Sequence, residues 1–218
     1  MKPNYDLILF DIDGTLTDSE PGITGAAKEA LKRMGFPIPA QDTLRKFIGP
    51  PLWQSFIDYC GMTAEQTEQA VAYYRDTYNV KGAFENKPYP HIPELLDELK
   101  AAGAMLAVAT SKPDNIARPV LDYFHLTPYF AYLSAPSEDE HSSRKKQLIL
   151  SAEKFCGIPK ERTVMIGDTH FDAAGARDAQ TDFIGVLYGF GTKKEMEREG
   201  ANVFARDIAE LKSLLLRD

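Results

Sequence analysis

Disulfides, membrane spans and basic tracts are what this 218-residue chain lacks, and each absence narrows its function. Its two cysteines, Cys60 and Cys156, lie in helix-like segments and fit free thiols in a reducing compartment rather than a disulfide framework. No apolar stretch approaches the roughly 20 residues of a membrane-spanning helix. The apolar run Leu7–Phe10 is too short for a signal peptide, so the expected compartment is the cytoplasm. Basic residues are not in excess: 25 against 32 acidic ones give a net charge of −7. That balance favours solubility and argues against a nucleic-acid polymer as partner. An anionic substrate would then need a local cluster of cations or a metal. His170 has no His or Cys spaced as a zinc partner, so it reads as a surface residue. There is no internal repeat and no low-complexity tract. What remains is an ordinary globular composition, 44% hydrophobic and 26% charged, long enough for one large domain or a core plus a smaller one.

What the chain does have is a set of short apolar runs: Asp6–Phe10, Ala104–Ala109, Phe130–Ser134, Thr163–Ile166 and Phe183–Leu187. Helical patterns separate the later ones, an alternation that implies parallel strands with crossover helices. Ile92, Leu95, Leu96 and Leu99 mark one helical face, ended by Gly103. Leu148, Ile149, Ala152 and Phe155 mark another, ended by Gly157. Thr192 with Glu195 is a capping box that opens a late helix. Between Leu16 and about Phe84 the strand pattern disappears. Ile23, Ala27, Ala30, Leu31 and Met34 form a helical stripe closed by Gly35; Leu52, Phe56 and Tyr59 form another. Thr63 with Gln66 caps a third, which contains Val71, Tyr74 and Tyr78. A block this long is no loop of a compact domain. It reads as a helical insert between the first two strands, over the strand ends, where it would act as a lid.

Charged and hydroxylic residues gather where the apolar runs stop. Asp11 and Asp13 follow Leu7-Ile8-Leu9-Phe10, with Gly14 and Thr15 behind them. Open α/β sheets place their ligands at the carboxyl ends of strands. A turn-forming role explains one such Asp but not two. A calcium loop is excluded, because Leu16 and Gly22 stand where it requires Gly and Glu. Thr110-Ser111-Lys112 ends the second run; its hydroxyls and N–H groups suit a phosphate oxygen, though a helix N-cap uses the same residues. Lys145 and Lys146 open the helix that carries Leu148 and Ile149. The spacing puts Lys145 on the core-facing stripe and Lys146 nearer its edge. Gly167-Asp168-Thr169-His170-Phe171-Asp172 follows Val164-Met165-Ile166, and Asp172 is expected to cap a helix over Ala173–Ala179.

A carboxylate pair, a hydroxyl pair, a lysine and a carboxylate, in that order at four strand ends, resemble the haloacid dehalogenase-like superfamily of aspartyl-phosphate-forming phosphotransferases. The likeness covers nearly the whole chain. Within the superfamily the chain looks most like the phosphoglycolate phosphatase and 5′-nucleotidase-like group. Lys46-Phe47-Ile48-Gly49-Pro50-Pro51-Leu52, Ala109-Thr110-Ser111-Lys112-Pro113 and Gly185-Val186-Leu187-Tyr188-Gly189 carry that likeness. One segment departs: relatives have a short Gly-containing turn before the lysine, and this chain has Glu138-Asp139-Glu140-His141-Ser142-Ser143-Arg144. The choice between Lys145 and Lys146 therefore stays open at this point.

The resemblance implies an α/β fold: a Rossmann-like, doubly wound parallel sheet core (1–16 and 84–218) with an inserted α-helical cap domain (17–83). It also implies a Mg²⁺-dependent phosphatase for small phosphomonoesters. In that reading Asp11 is the nucleophile, Asp13 the general acid and then base, and Thr110 and Lys145 the groups that hold phosphate. Gly14 and Ser111 complete the phosphate site. Asp11, Asp168 and the backbone carbonyl of Asp13 bind the metal, and Asp172 orients its water shell or the lysine. Arg45, Lys46 and Phe47 in the insert are candidates for substrate choice, with Trp53 a further aromatic; Phe47 and Trp53 also read as core of the insert. The expected partner is a small phosphorylated metabolite, with no membrane or nucleic acid, for a monomer or homodimer. A sugar phosphomutase resembling β-phosphoglucomutase is the alternative, and Thr15 weighs against it because those mutases resemble DxDGV here.

Overall fold

The computed structural model describes residues 1–137 and 145–217. Its main sheet has six strands: β1 (Leu7–Phe10), β2 (Met105–Ala109), β3 (Tyr132–Ser134), β4 (Thr163–Gly167), β5 (Asp182–Val186) and β6 (Phe204–Ala205). Their spatial order is β3-β2-β1-β4-β5-β6 and every pairing is parallel. The chain winds outward from β1 in one direction, then returns to its other side at β4. The two neighbours β1 and β4 therefore flank the switch point, where a crevice opens at the carboxyl ends. Their register aligns Phe10 with Ile166, and Phe10 also with Val108 of β2.

Burial on both faces explains the uninterrupted apolar strands. All four residues of β1 are fully buried, and the pleat sends them alternately to two cores. Ile8, Phe10, Leu106, Val108, Val164 and Ile166 pack with Ile92, Leu96 and Leu99 of α5 (Ile92–Ala101), and with Leu211 and Leu215 of α10 (Ile208–Leu215). Leu7, Leu9, Ala107, Ala109 and Met165 pack instead with Leu148 and Ile149 of α7 (Lys145–Cys156), and with Ala176 of α8 (His170–Ala179). Two further helices follow β2 and β5: α6 (Asp114–Tyr123) and α9 (Lys193–Arg198), the latter opened by the Thr192–Glu195 capping box.

The chain divides into two compact units, one formed by Met1–Thr17 with Pro88–Asp218 and the other by Asp18–Lys87. The second is helical: α1 (Glu20–Met34), α2 (Gln41–Arg45), α3 (Leu52–Cys60) and α4 (Ala64–Tyr78). Gly35 and Gly61 end α1 and α3 in the left-handed conformation, and the Thr63–Gln66 capping box opens α4. Gly22 is required by contact rather than by dihedral: a Cβ there would lie 1.9 Å from the Gly82 carbonyl oxygen. Among the described residues no helix is long and apolar enough to cross a membrane.

Candidate active site

The first strand ends by handing its ladder to a tight turn. Asp11 N–H donates to the Ile166 carbonyl at 3.0 Å, after which Leu16 and Thr17 N–H both donate to the Ile12 carbonyl at 2.9 Å. Gly14 sits in this turn with φ +85°, and a Cβ on it would come within 2.1 Å of Asp168 Oδ2. Glycine is thus demanded twice, by the dihedral and by the carboxylate behind it.

Lys145, the first described residue of α7, reaches across to three oxygens. Its ammonium donates to Asp11 Oδ1 at 2.8 Å and to the Ala109 carbonyl at 3.1 Å, and pairs with Asp172 Oδ1 at 2.8 Å. The lysine is 6% exposed and Asp172 1%. Its stem fits because α8 carries Gly175, where a Cβ would lie 2.5 Å from the Lys145 Cβ. Burial alone would lower the Lys145 pKa; the adjacent Asp11 and Asp172 carboxylates outweigh it and hold the ammonium charged. Lys146 is exposed. Spacing had favoured Lys145 for the inward place, and that is where it lies. The acidic segment Glu138-Asp139-Glu140, with the rest of 138–144, falls outside the described residues.

Asp172 does not cap a helix that begins at Ala173. The helix starts earlier, at His170, with Thr169 as N-cap and Asp172 as its third residue. Asp172 Oδ2 accepts from the Thr169 N–H (3.1 Å) and hydroxyl (2.7 Å), while Oδ1 faces Lys145. One carboxylate therefore holds both the helix start and the lysine. His170 lies against the Phe171 ring, 4.0 Å between centroids.

Asp168 is fully buried. Its Oδ2 accepts from the Phe190 N–H at 2.7 Å, whereas Oδ1 has no hydrogen-bond partner among the described residues. The loop after β5 wraps this carboxylate so tightly that Cβ atoms on Gly189 or Gly191 would meet Asp168 atoms at 2.4 and 2.2 Å. Sequence reasoning assigned Gly191 and Phe190 nothing. Gly189-Phe190-Gly191 beyond an apolar run was the available signal.

One oxygen from each of Asp11, Asp168 and Asp172 can be chosen so that all lie within 4.8 Å of one another. Burial, together with the mutual proximity of the carboxylates, raises the Asp11 pKa to about 6 despite Lys145, and raises that of Asp168 well above the usual range. Three carboxylates share this pocket with one ammonium, so their full ionisation would leave buried negative charge uncompensated. Only oxygen donors are offered, and one of them is unpartnered. This donor set fits a hard divalent cation such as Mg²⁺. The Asp13 carboxylate is not in the group; both of its oxygens face Lys112 Nζ, at 2.9 and 2.8 Å. The sequence pattern gives Lys112, beside Thr110 and Ser111, no role of its own.

Thr110 is 1% exposed at the end of β2 and its Oγ1 accepts from the Lys112 N–H at 3.2 Å, while Ser111 is exposed. The insert candidates belong to the other unit. Arg45 pairs with Glu20 (2.8 Å) and Asp42 (3.5 Å), and Lys46 lies 5.8 Å from the Tyr59 ring centroid. Of its two expected places, Phe47 takes the core of the insert: it is 3% exposed, edge-on to Phe56 at 5.1 Å and tilted on Tyr59 at 5.8 Å. Its ring is packed into the core of the insert rather than exposed to a ligand. Trp53 is 40% exposed.

Residues 8–186 match the family described as haloacid dehalogenase-like hydrolase. The chain is 38% identical to a 5′-nucleotidase of Pseudomonas aeruginosa, over 97% of this chain and 96% of that protein. It is 34% identical to the tyrosine-protein kinase PtkA of Mycobacterium tuberculosis, over 96% of this chain and 72% of that one. A phosphoglycolate phosphatase of Caulobacter vibrioides is also 34% identical, over 95% and 90%. Among solved structures, a predicted phosphatase from Clostridium acetobutylicum superposes with a TM-score of 0.90 at 40% identity, covering 96% of this chain and 97% of that one. The chain belongs to the haloacid dehalogenase-like hydrolase family. Within it, the chain is a phosphoric monoester hydrolase.

Proposed function

We propose that this enzyme hydrolyses small phosphomonoesters through an aspartyl-phosphate on Asp11, in a site that Mg²⁺ completes. The observation that carries the reading is the buried cluster of Asp11, Asp168 and Asp172 around Lys145, at the carboxyl ends of β1 and β4. Asp11 and Asp168 would hold the ion, with Asp172 beside them and the backbone carbonyl of Asp13 as the family resemblance implies. When bound, a divalent ion offsets the negative charge that otherwise keeps a phosphate dianion from a carboxylate.

The remaining chemistry belongs to the side chains. Asp11 attacks phosphorus in line; its oxygen–phosphorus bond forms as the ester P–O bond breaks. The Asp13 carboxyl gives its proton to the departing oxygen. It then takes a proton from the water that attacks the aspartyl-phosphate, releasing inorganic phosphate and restoring Asp11. Thr110 and Lys145 hold the phosphoryl oxygens, and losing one such contact typically costs about 3 kcal/mol in the transition state. Asp172 keeps Lys145 aimed at Asp11 rather than meeting substrate. The core that does this is proposed to span 1–16 and 84–218. The helical insert, 17–83, is proposed to act as a cap that selects the substrate, with Arg45 and Lys46 supplying charge.

Phosphoglycolate and 5′-nucleotides are the substrates to test first, because relatives carry those names. Phosphate release with Mg²⁺ should appear on at least one of them and vanish in Asp11→Asn. Acid-quenched wild-type enzyme should carry a phosphoryl group on Asp11 by mass spectrometry. Modification at any other residue would sink the mechanism. A sugar 1-phosphate supplies the control for the mutase alternative: free sugar and phosphate are expected, and an isomeric sugar phosphate would overturn the reading.

A further inference from the structure

Lys112 is a buried lysine that the chemistry above does not use. It stands four residues past Val108 on the loop between β2 and α6. Asp13 stands three residues past Phe10, and the sheet register pairs Phe10 with Val108. Two adjacent parallel strands thus deliver an ammonium and a carboxylate to the same level. The lysine side chain is 3% exposed and that of Asp13 15%, and the ammonium meets both carboxylate oxygens at 2.9 and 2.8 Å. The lysine is itself anchored, since its backbone N–H donates to Thr110 Oγ1. A contact to one oxygen leaves a carboxylate free to swing about its last torsion. A contact to both fixes its plane as well as its position.

We propose that Lys112 is a positioning residue: it holds the Asp13 carboxyl group in the orientation from which Asp13 exchanges its proton with the leaving-group oxygen. The proposal rests on the reading of Asp13 as general acid and base. It assigns Lys112 no contact with phosphate; Lys145, already at Asp11, takes that part. Misalignment of a proton donor by about an ångström is enough to lose up to a hundredfold in rate. The loss should fall only on esters whose leaving oxygen needs the proton.

The test compares an alkyl phosphate substrate with p-nitrophenyl phosphate, whose phenolate departs without protonation, in the full-length enzyme with Mg²⁺. The parameter to read is kcat/KM, which covers steps only through formation of the aspartyl-phosphate, so that Asp13 as base in the second half does not enter. Lys112→Met should lower kcat/KM for the alkyl ester about 10- to 100-fold and that for p-nitrophenyl phosphate less than about threefold. Lys112→Arg, which keeps the positive charge, should recover part of the alkyl activity. Should Lys112→Met not fold, Lys112→Gln carries the same comparison. An equal loss on both esters, or a rise in KM on both, would overturn the proposal, because a phosphate-binding or merely structural lysine behaves that way. Asp13→Asn is the companion variant. If it leaves the alkyl-to-aryl ratio unchanged, the acid reading of Asp13 fails and the proposal falls with it. If it lowers the ratio while Lys112→Met does not, the reading stands and the role of Lys112 alone is refuted.

Discussion

The Lys145–Asp11 pair of the sheet unit and the Arg45–Glu20 pair of the helical unit both close at 2.8 Å, yet the two do different physical work. In the first, the side chains are 4% and 12% exposed; in the second, 53% and 22%. Water screens the Arg45 pair, and its strength is traded against hydration that both partners keep. Lys145 and Asp11 have surrendered that hydration, so each depends on the other and on Asp172. The lesson is that distance alone does not rank charged contacts in this molecule; burial does. Charges that a fold gives up from water without need are rare, which is why the buried set marks the site and the exposed set does not.

The largest effect should come from breaking the buried side of this comparison. Lys145→Met leaves Asp11, Asp168 and Asp172 facing one another without a cation. In metal-free protein at pH 8 this should cost on the order of 3–5 kcal/mol, a fall in Tm of roughly 10 °C. Phosphatase activity should drop at least about a hundredfold even with Mg²⁺ present. A melt within a degree or two of wild type, measured in chelator, would mean that Lys145 is not the cluster's counter-ion.

A smaller effect sharpens the same contrast through pH. Burial pushes the Asp11 pKa up to about 6 in the folded chain, with Asp172 and Asp13 adding to the shift and Lys145 opposing it; burial and the neighbouring carboxylates raise Asp168 as well. An unfolded Asp titrates near 3.8. Between those values folded Asp11 binds more protons than unfolded Asp11, so its contribution to stability is complete below the unfolded value and is lost as pH rises through about 6; Asp168, shifted in the same direction, adds with the same sign. In the proposed site a divalent cation would take the place of those protons. Mg²⁺ should therefore raise Tm by several degrees at pH 8 and hardly at all at pH 5. Reading the difference between Mg²⁺ and chelator at each pH cancels carboxylates elsewhere, such as Glu20, which Arg45 and Gln41 hold below their ordinary range against the effect of burial. An equal Mg²⁺ shift at both pH values would place the cation somewhere other than this cluster.

How much of this was legible beforehand depended on whether the determinant was local. Leu7–Phe10 and Thr163–Gly167 announce buried parallel strands because neither face meets water. The Thr63–Gln66 and Thr192–Glu195 boxes are three-residue motifs whose partners are written next to one another. Asp11, Asp13 and Asp168 stand out because carboxylates rarely follow such strands. Lys145 could be told from Lys146 by helical spacing from Leu148 and Ile149, although the contact it makes spans 134 residues. Long-range pairings carry no local sign: nothing near Lys112 in the chain names Asp13, and Asp172 reads from its neighbours only as a cap, its contact with Lys145 being implied by the family resemblance alone. Phe47 shows an ambiguity: the pattern around it allowed both a ring free for substrate and a ring in the core of the insert, and its packing on Phe56 and Tyr59 decides for the core.

The smallest expected effect is on the exposed side. Arg45→Ala removes the Glu20 and Asp42 pairs, both rim contacts of a side chain that is half in water. Stability should hardly respond, with Tm moving by no more than about 2 °C. If Arg45 serves substrate choice, the consequence should instead be selective. kcat/KM should fall about tenfold for an ester whose leaving group bears a carboxylate or a second phosphate, and change less than about twofold for p-nitrophenyl phosphate, which offers no such group. Steady-state kinetics on the two esters with Mg²⁺, beside a thermal melt of each protein, would separate the outcomes. An even loss on both esters would remove Arg45 from specificity. A fall in Tm as large as that of Lys145→Met would overturn the contrast itself, since an exposed pair would then be carrying as much of the fold as a buried one.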